Sequence, residues 1–316
     1  MSTDERAVLG DELQQRGEPQ GELIALQLAL EALPATAPRV RRSLIERRIA
    51  ACLDQHHDTF YGALAPHVQR LSRPDLWQRA LEVHRWSGGF ATTLLLQGAG
   101  PSLHEVVRIA RELPIARFVR RLELGVGDHP EAVVELAQAP WPHLRELVLF
   151  ANGVRIADLS RMAPLLAELE LLQIHYAIRY ATFEAPALTT LQLWRRRDDS
   201  AVVLDARMPA LEELNYAWFA AEHGVFDRYP KLRRLTFYGD LTAGWLEQLM
   251  RSPNIERLTH LTPGYLLGDA DLEVLAAHAH RLAHLELLDV SNNVFSAQAI
   301  AAVRPRLPPC VKLRRR

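Results

Sequence analysis

The sequence predicts an α/β solenoid: a curved parallel sheet with an irregular convex side, capped by an N-terminal helical module. Three observations predict it. Six segments share one frame: WPHLRELVLFAN, APLLAELELLQI, APALTTLQLWRR, MPALEELNYAWF, YPKLRRLTFYGD and SPNIERLTHLTP. In each, a proline is followed two positions on by an apolar residue, then by an apolar residue three further and, in all but the last segment, where His260 stands, another five further. The first apolar positions are Leu144, Leu166, Leu188, Leu211, Leu232 and Ile255, and the frame extends outward to Ala91, Val119 and Leu285. Successive spacings of 28, 25, 22, 22, 23, 21, 23 and 30 residues fit stacked units with a period of about 20–29. Finally, residues 1–85 lack the frame and read as helices, leaving 86–316 for about nine repeats.

The elements follow in chain order. Val8, Leu9, Glu12 and Leu13 fit one helix, and Leu23, Ile24, Leu26, Gln27 and Leu30 fit a second. Between them stands QRGEPQGELI. Its charges and glycines could hold an anion, a metal or a scissile bond. They also fit a joint: Gly17 as a left-handed C-cap, Pro19 as a stop, and Gly21-Glu22 opening the next helix with an acid at its positive end. In the repeats, the middle residue of each apolar-x-x-apolar-x-apolar frame points inward from a short strand while its neighbours point out. No repeat buries its own apolar row, so neighbours must stack. Leu169, Leu191, Leu214, Leu235 and Leu258 are the expected inward residues of adjacent strands. Intervals of 21–23 residues leave little room for a helical return, so extended or 3₁₀ segments are expected behind the central strands. Residues 102–111, 131–138, 271–280 and 297–303 have helical spacing and length.

From Phe90 onward this frame resembles the leucine-rich-repeat family. The asparagine that the family places three residues after its last core leucine falls on Asn152, Asp240 and Asn293. The same position holds Ala99, Gly127, Ile174, Arg196, Phe219 and Pro263 elsewhere, which implies an irregular solenoid with a discontinuous asparagine ladder. The segment L-x-x-R-G-x-P-x-G-E-L-I-x-L-Q, from Leu13 to Gln27, resembles the bacterial repeat-companion domain. Leu53, His56, Phe60, Tyr61, Gly62 and Leu64 resemble its second half, and Trp86-Ser87-Gly88-Gly89-Phe90 its junction with the repeats. This resemblance covers about residues 5–90 and implies architecture, with no chemistry attached.

Composition narrows the function classes. The 316 residues are 48% hydrophobic and 24% charged with net charge −1, which is not a disordered or polybasic chain. Of the 37 basic residues, Lys231 and Lys312 alone are lysine. No signal peptide or membrane span is read, and two cysteines give no disulfide framework, so a cytoplasmic protein without membrane contact is expected. Phosphate-loop, dinucleotide and nucleophile-elbow motifs are missing. His104-Glu105-Val106-Val107-Arg108 ends on a residue that cannot bind zinc, and His278, His280 and His284 near Asp269 and Asp271 read as solvated or packing histidines. Cys52 reads as a small buried hydrophobe and Cys310 lacks a base. Arg195-Arg196-Arg197 beside Trp194, and Arg314-Arg315-Arg316, are too local for nucleic acid, which needs a broad basic surface. No catalytic residue, metal or cofactor is therefore expected.

The frame turns one set of residues outward on the concave face. After the last leucine come Phe150, Leu172, Trp194, Trp218, Tyr238 and Leu261; on the strands lie Glu146, Glu168, Glu170, Gln192, Glu213, Arg234 and Arg257. The aromatics could fold over the solenoid edge and bury one another. Alternatively they form an apolar ridge bordered by acids and arginines, and Trp, Tyr and Arg are the residue types that most often dominate protein interfaces. The expectation is a non-catalytic scaffold binding a protein partner through Phe150, Leu172, Trp194, Trp218, Tyr238, Arg234, Arg257, Glu168 and Glu170. The alternative is a regulatory or substrate-recognition subunit whose partner supplies the chemistry; an enzyme with its site in the helical module ranks third.

Overall fold

The computed structural model of the chain describes residues 2–68, 81–97, 101–126, 131–138, 141–150, 159, 162–175, 180–194, 203–217, 225–238, 244–264 and 267–313. They form two compact units, Met1–Phe150 and Ala151–Arg316.

The first unit opens with four helices: α1 (Thr3–Gln15), α2 (Pro19–Glu31), α3 (Arg39–Gln55) and α4 (His57–Tyr61). A capping box starts α1. Ser2 Oγ accepts the Glu5 N–H and Glu5 Oε2 accepts the Ser2 N–H, and these bonds to Ser2 hold the Glu5 carboxyl below its ordinary pKa. The C-terminus of α1 closes with a Schellman motif, as Gly17 N–H donates to Gln14 O and Glu18 N–H to Leu13 O, both at 2.9 Å. Gly17 carries φ 70°, the left-handed conformation expected of it. The second helix begins two residues earlier than expected, at Pro19, because the first helical position needs no N–H. The loop is a joint.

A Cβ on Gly17 would meet nothing within 4 Å, so a larger residue is opposed there by backbone strain alone. Gly17→Val is expected to cost about 1–2 kcal/mol in a urea melt, while Glu18→Ala stays near zero. Equal effects of the two changes would contradict this account of the joint.

Helix α2 then grips the first hairpin of the sheet, β1 (Leu81–Ser87) with β2 (Phe90–Gln97). Its two-residue turn, Gly88-Gly89, has φ of 53° and 78°, both positive as a primed hairpin turn requires. Two buried glutamines of α2 satisfy the turn: Gln27 Oε1 accepts the Gly89 N–H at 2.8 Å, and Gln20 Nε2 donates to Gly89 O at 3.1 Å. Beside them Arg6 reaches Glu31 at 2.9 Å and the Ser87 hydroxyl at 3.3 Å. Strand β2 continues in parallel to β3 (Arg121–Gly125) and β4 (Glu146–Phe150). Leu94, Leu122 and Leu147 form one inward row and Leu96, Leu124 and Leu149 the next, all fully buried. Helices α5 (Leu103–Glu112) and α6 (Glu131–Gln138) occupy the return segments as expected, burying Val106, Val107, Ala110 and Leu136.

The second unit repeats the pattern with β5 (Leu171–His175), β7 (Thr190–Trp194), β9 (Glu213–Ala217), β10 (Arg234–Tyr238), β11 (His260–Pro263), β12 (Leu287–Asp289) and β13 (Val311–Lys312). These are parallel and adjacent in that order, with Leu172, Leu191, Leu214, Leu235, Leu261, Leu288 and Val311 in one buried row. The ladder is that of a leucine-rich-repeat solenoid. Behind the central strands the returns are extended, as β6 (Tyr180–Glu184) and β8 (Val203–Arg207) form their own parallel pair. A single 3₁₀ turn, Val225–Arg228, follows in the next return. Helices α7 (Ala163–Leu166), α8 (Trp245–Arg251), α9 (Asp269–Ala277), α10 (Ala279–Leu282) and α11 (Ala297–Val303) complete the unit.

Two repeats depart from the sequence frame. The inward residues are Leu172 and Leu261, where Leu169 and Leu258 were expected. The cause is an extra helical turn before each strand, α7 in one case and a 3₁₀ turn at Pro253–Arg257 in the other. At the first apolar position of a repeat the N–H donates three residues back, as Leu188 does to Ala185, Leu211 to Met208 and Leu232 to Tyr229. Leu258 makes this same bond to Ile255, so it is the first apolar residue of its repeat. The shift also explains α8, which the spacing did not suggest. Leu235 and Leu261 stand 26 positions apart, room enough for a helix, whereas Leu172 and Leu191 stand 19 apart.

Of the asparagine positions, Asn152 and Asp240 lie outside the described residues. Asn293 is buried and does what the family position implies: Oδ1 accepts the Leu267 N–H at 2.8 Å, and Nδ2 donates to Gly264 O and Val290 O. Ile174 and Pro263, aligned to that position by sequence, are instead buried last residues of the shifted frames. Among the described residues no helix is long and apolar enough to cross a membrane.

Candidate protein-interaction surface

One hydrogen-bond device fixes the outer face of the second unit. From β5 to β10 the carbonyl just before each strand of the ladder accepts two consecutive N–H groups from the next repeat. Glu170 O receives Thr189 and Thr190, Thr189 O receives Glu212 and Glu213, Glu212 O receives Arg233 and Arg234, and Arg233 O receives Thr259 and His260. These bonds measure 2.7–3.1 Å and pin the strand starts in register. Both x residues of each L-x-x-L therefore stand side by side with those of the neighbouring repeats.

The result is a polar groove of about 410 Å³ lined by Thr189, Thr190, Glu212, Glu213, Arg233, Arg234, Thr259, His260 and Glu286. Across it Thr190, Glu213, Arg234 and His260 occupy one register row. Glu213 approaches Arg234 at 3.7 Å and accepts from Asn215 at 2.8 Å, while His260 Nδ1 lies 2.9 Å from the Thr259 hydroxyl. Arg234 is the exposed member of this pair and Glu213 the half-buried one, and a pair open to solvent on one side contributes little to stability. Two positions further along, Gln173, Gln192, Asn215, Thr236 and Thr262 form a neutral polar row. At the ends of β5 and β7, His175 and Trp194 stack with planes 7° apart and centroids at 6.0 Å.

The expected interface residues distribute unevenly over this surface. Arg234 sits in the groove with 59% of its side chain exposed; Glu170 directly precedes β5, and its carbonyl accepts the Thr189 and Thr190 N–H groups. Trp194 is half-buried beside His175. Tyr238 ends β10, paired with Ala217, and its side chain lies outside the described residues, as does all of Trp218. Phe150 ends β4 of the first unit, half-buried, with its carbonyl accepting Val126 N–H. Four placements need correction, all from the frame shift. Leu172, expected outward, is a fully buried core residue, and so is Leu261. Glu168 precedes β5 in the turn after α7. Arg257 lies in the 3₁₀ turn rather than on a strand, where its guanidinium reaches Pro230 O at 3.4 Å. The frame missed Glu212, Arg233, Thr259 and Glu286, although the first x of L-x-x-L marks Glu212, Arg233 and Glu286 once both x positions are read as outward.

Elsewhere the shifted ionisable groups have structural causes. Burial pushes the Cys52 thiol up to about 11, with Glu22 adding to it, which keeps the thiol protonated and inert. Burial likewise raises Tyr61 and Tyr229 to about 12. The carboxyls of Glu105, Glu247 and Asp269 are lowered by hydrogen bonds to Ser102, Arg251 and Ser296 respectively. The three C-terminal histidines do not form one cluster: the His278 and His280 rings lie 6.5 Å apart, His278 faces Glu247 at 3.4 Å, and His284 lies 3.1 Å from Ile255 O. Among the described residues no group of three or more His, Cys, Asp or Glu side chains is placed to hold a metal ion.

Neither a protein-family model nor a curated protein matches the sequence. Solved structures do. One is a protein of Bacteroides fragilis, similar with TM-score 0.48 and 16% identity over 67% of this chain and 69% of that one. Another is an internalin of Listeria monocytogenes, with TM-score 0.30 and 13% identity over 65% of this chain and 69% of that one. The class of fold, a leucine-rich-repeat solenoid, rests on the register of this chain's own strands.

Proposed function

We propose that this chain is a non-catalytic scaffold that binds a protein partner across the outer face of its repeat sheet. The observation that carries the reading is the groove over β7, β9, β10 and β11. Its side chains come in acid and base pairs from successive repeats, on a backbone locked by paired N–H bonds to a single carbonyl. Such pre-organisation lowers the ordering cost of binding. Trp194 supplies an aromatic anchor at the opposite end of the strands, stacked on His175. Residues 1–85 serve as the end cap that a repeat core requires.

The test compares wild-type chain with a Glu213→Lys, Arg234→Glu double variant and an Arg207→Glu control in affinity capture from native extract, followed by mass spectrometry. Arg207 is 81% exposed on β8, away from the groove. The double variant is expected to lose at least about tenfold of specific partner recovery, with an unchanged melting temperature, while the control retains it. Equal recovery by all three proteins would remove the groove from the binding site.

A further inference from the structure

Helix α3 presents a second surface that the repeat groove does not explain. Of its 17 residues, Cys52 alone is buried, which is little for a helix inside a domain. Its inner face, Ile45, Ile49, Cys52 and Leu53, is turned toward α2: the Cys52 thiol lies 3.9 Å from Pro19 O, and Arg48 lies 4.0 Å from Glu22. By helical spacing the opposite face carries Val40, Leu44 and Ala51, with Arg47 on one side and Arg41 and Arg48 on the other. Val40 is 76% exposed and Leu44 54%. The helix holds five arginines, Arg39, Arg41, Arg42, Arg47 and Arg48, against Glu46 and Asp54. Among the described residues, Arg39, Arg41 and Arg47 have no acidic partner within ion-pair distance.

The charge distribution runs against the needs of the helix itself. The first turn holds three arginines and no acid, and Pro38 offers no side-chain cap. Cations at the positive end of a helix dipole are unfavourable. Both the exposed apolar stripe and the uncompensated cations are relieved by one kind of neighbour.

We infer that the outer face of α3 docks an acidic amphipathic helix of a protein partner. Leucines on that helix would pack along the Val40–Leu44–Ala51 stripe, about 16 Å long, while flanking carboxylates pair with Arg41, Arg47 and Arg48 in the fork geometry arginine favours. A lipid surface fits less well. The stripe has no aromatic residue, and Arg47 stands at its edge where acyl chains would need apolar cover. Nucleic acid fits less well too, since Val40 and Leu44 occupy the centre of the face where phosphates would have to lie.

The experiment uses the full chain and fluorescence anisotropy with a labelled helical peptide of about 18 residues, leucine along one stripe and glutamate elsewhere. Vesicles of phosphatidylserine and phosphatidylcholine, and a short DNA duplex, form two further arms. Saturable peptide binding is expected, weakened about fivefold or more by Leu44→Ser. Arg47→Glu with Arg48→Glu should weaken it about twentyfold or more, and it should fall as salt rises. Because these side chains are exposed, the melting temperature should hold in every variant. Absence of peptide binding at millimolar concentration, binding indifferent to both sets of changes, or binding to vesicles or duplex in place of the peptide would each overturn the proposal.

Discussion

Replacing Gly21 by alanine is expected to destabilise the first unit by about 3 kcal/mol, far more than its small volume suggests. Helices α1 and α2 cross with almost no space between their backbones. A Cβ on Gly21 would stand 2.4 Å from Gln14 N and 2.7 Å from Gly10 O. Neither atom can swing aside as a side-chain tip can, so the helices must separate. Gly10 faces the same crossing from the other side, where an added Cβ would meet Ile24 Cγ2 at 2.9 Å. Separation would loosen the small core of Leu13, Ile24 and Phe90 beneath them, and would carry Gln20 and Gln27 away from the hairpin turn they satisfy. Overpacking costs typically 1–3 kcal/mol, and more when backbone must move. Urea denaturation of the first unit's transition provides the measure. A loss no larger than that of Gly17→Val would mean that the helices slide apart cheaply.

Leu214→Ala is the second large expected effect, about 2–5 kcal/mol on the second unit. Leu214 is 1% exposed and sits between Leu191 and Leu235 in the buried row, so the lost side chain leaves a hole bounded by two neighbouring repeats. One position away in register, Thr236→Ala changes the outer face and should stay within about 0.5 kcal/mol. Calorimetry on both variants separates the two sides of the sheet. Similar losses from the two would contradict the inward and outward assignment.

The repeat frame made most of the fold legible, because a strand's inward residue is dictated by alternation and the period by stacking. It failed where an inserted turn kept an apolar residue at the expected position. Leu169 and Leu258 are buried as the frame demands, yet each stands two residues before its strand, and Leu172 and Leu261 take the inward row. A three-residue slip preserves hydrophobicity while exchanging faces, so pattern alone cannot detect it in a leucine-rich segment. The same slip moved Glu168 and Arg257 off the sheet in the candidate site, whereas Glu213 and Arg234, in unslipped repeats, were placed correctly. Gly17 was readable from local turn chemistry. Gly21 was not, because its need for a missing side chain comes from Gln14 and Gly10 on another helix.

The terminal strands of the two units bear on whether copies of this chain add to one another end to end. An open parallel ladder offers unpaired N–H and C=O groups that can template a further strand. Strand β1 runs antiparallel, and its pairing slips twice, between Val83 and Arg85 and again between Arg85 and Trp86, which spoils a regular edge. Strand β13 is two residues long, follows Pro308 and Pro309, and carries Lys312. Short length, proline and a charged residue are the features by which sheet proteins resist fibre growth. Each of these two strands is thus blunt, and strand addition at β1 or at β13 is disfavoured by the residues that build it.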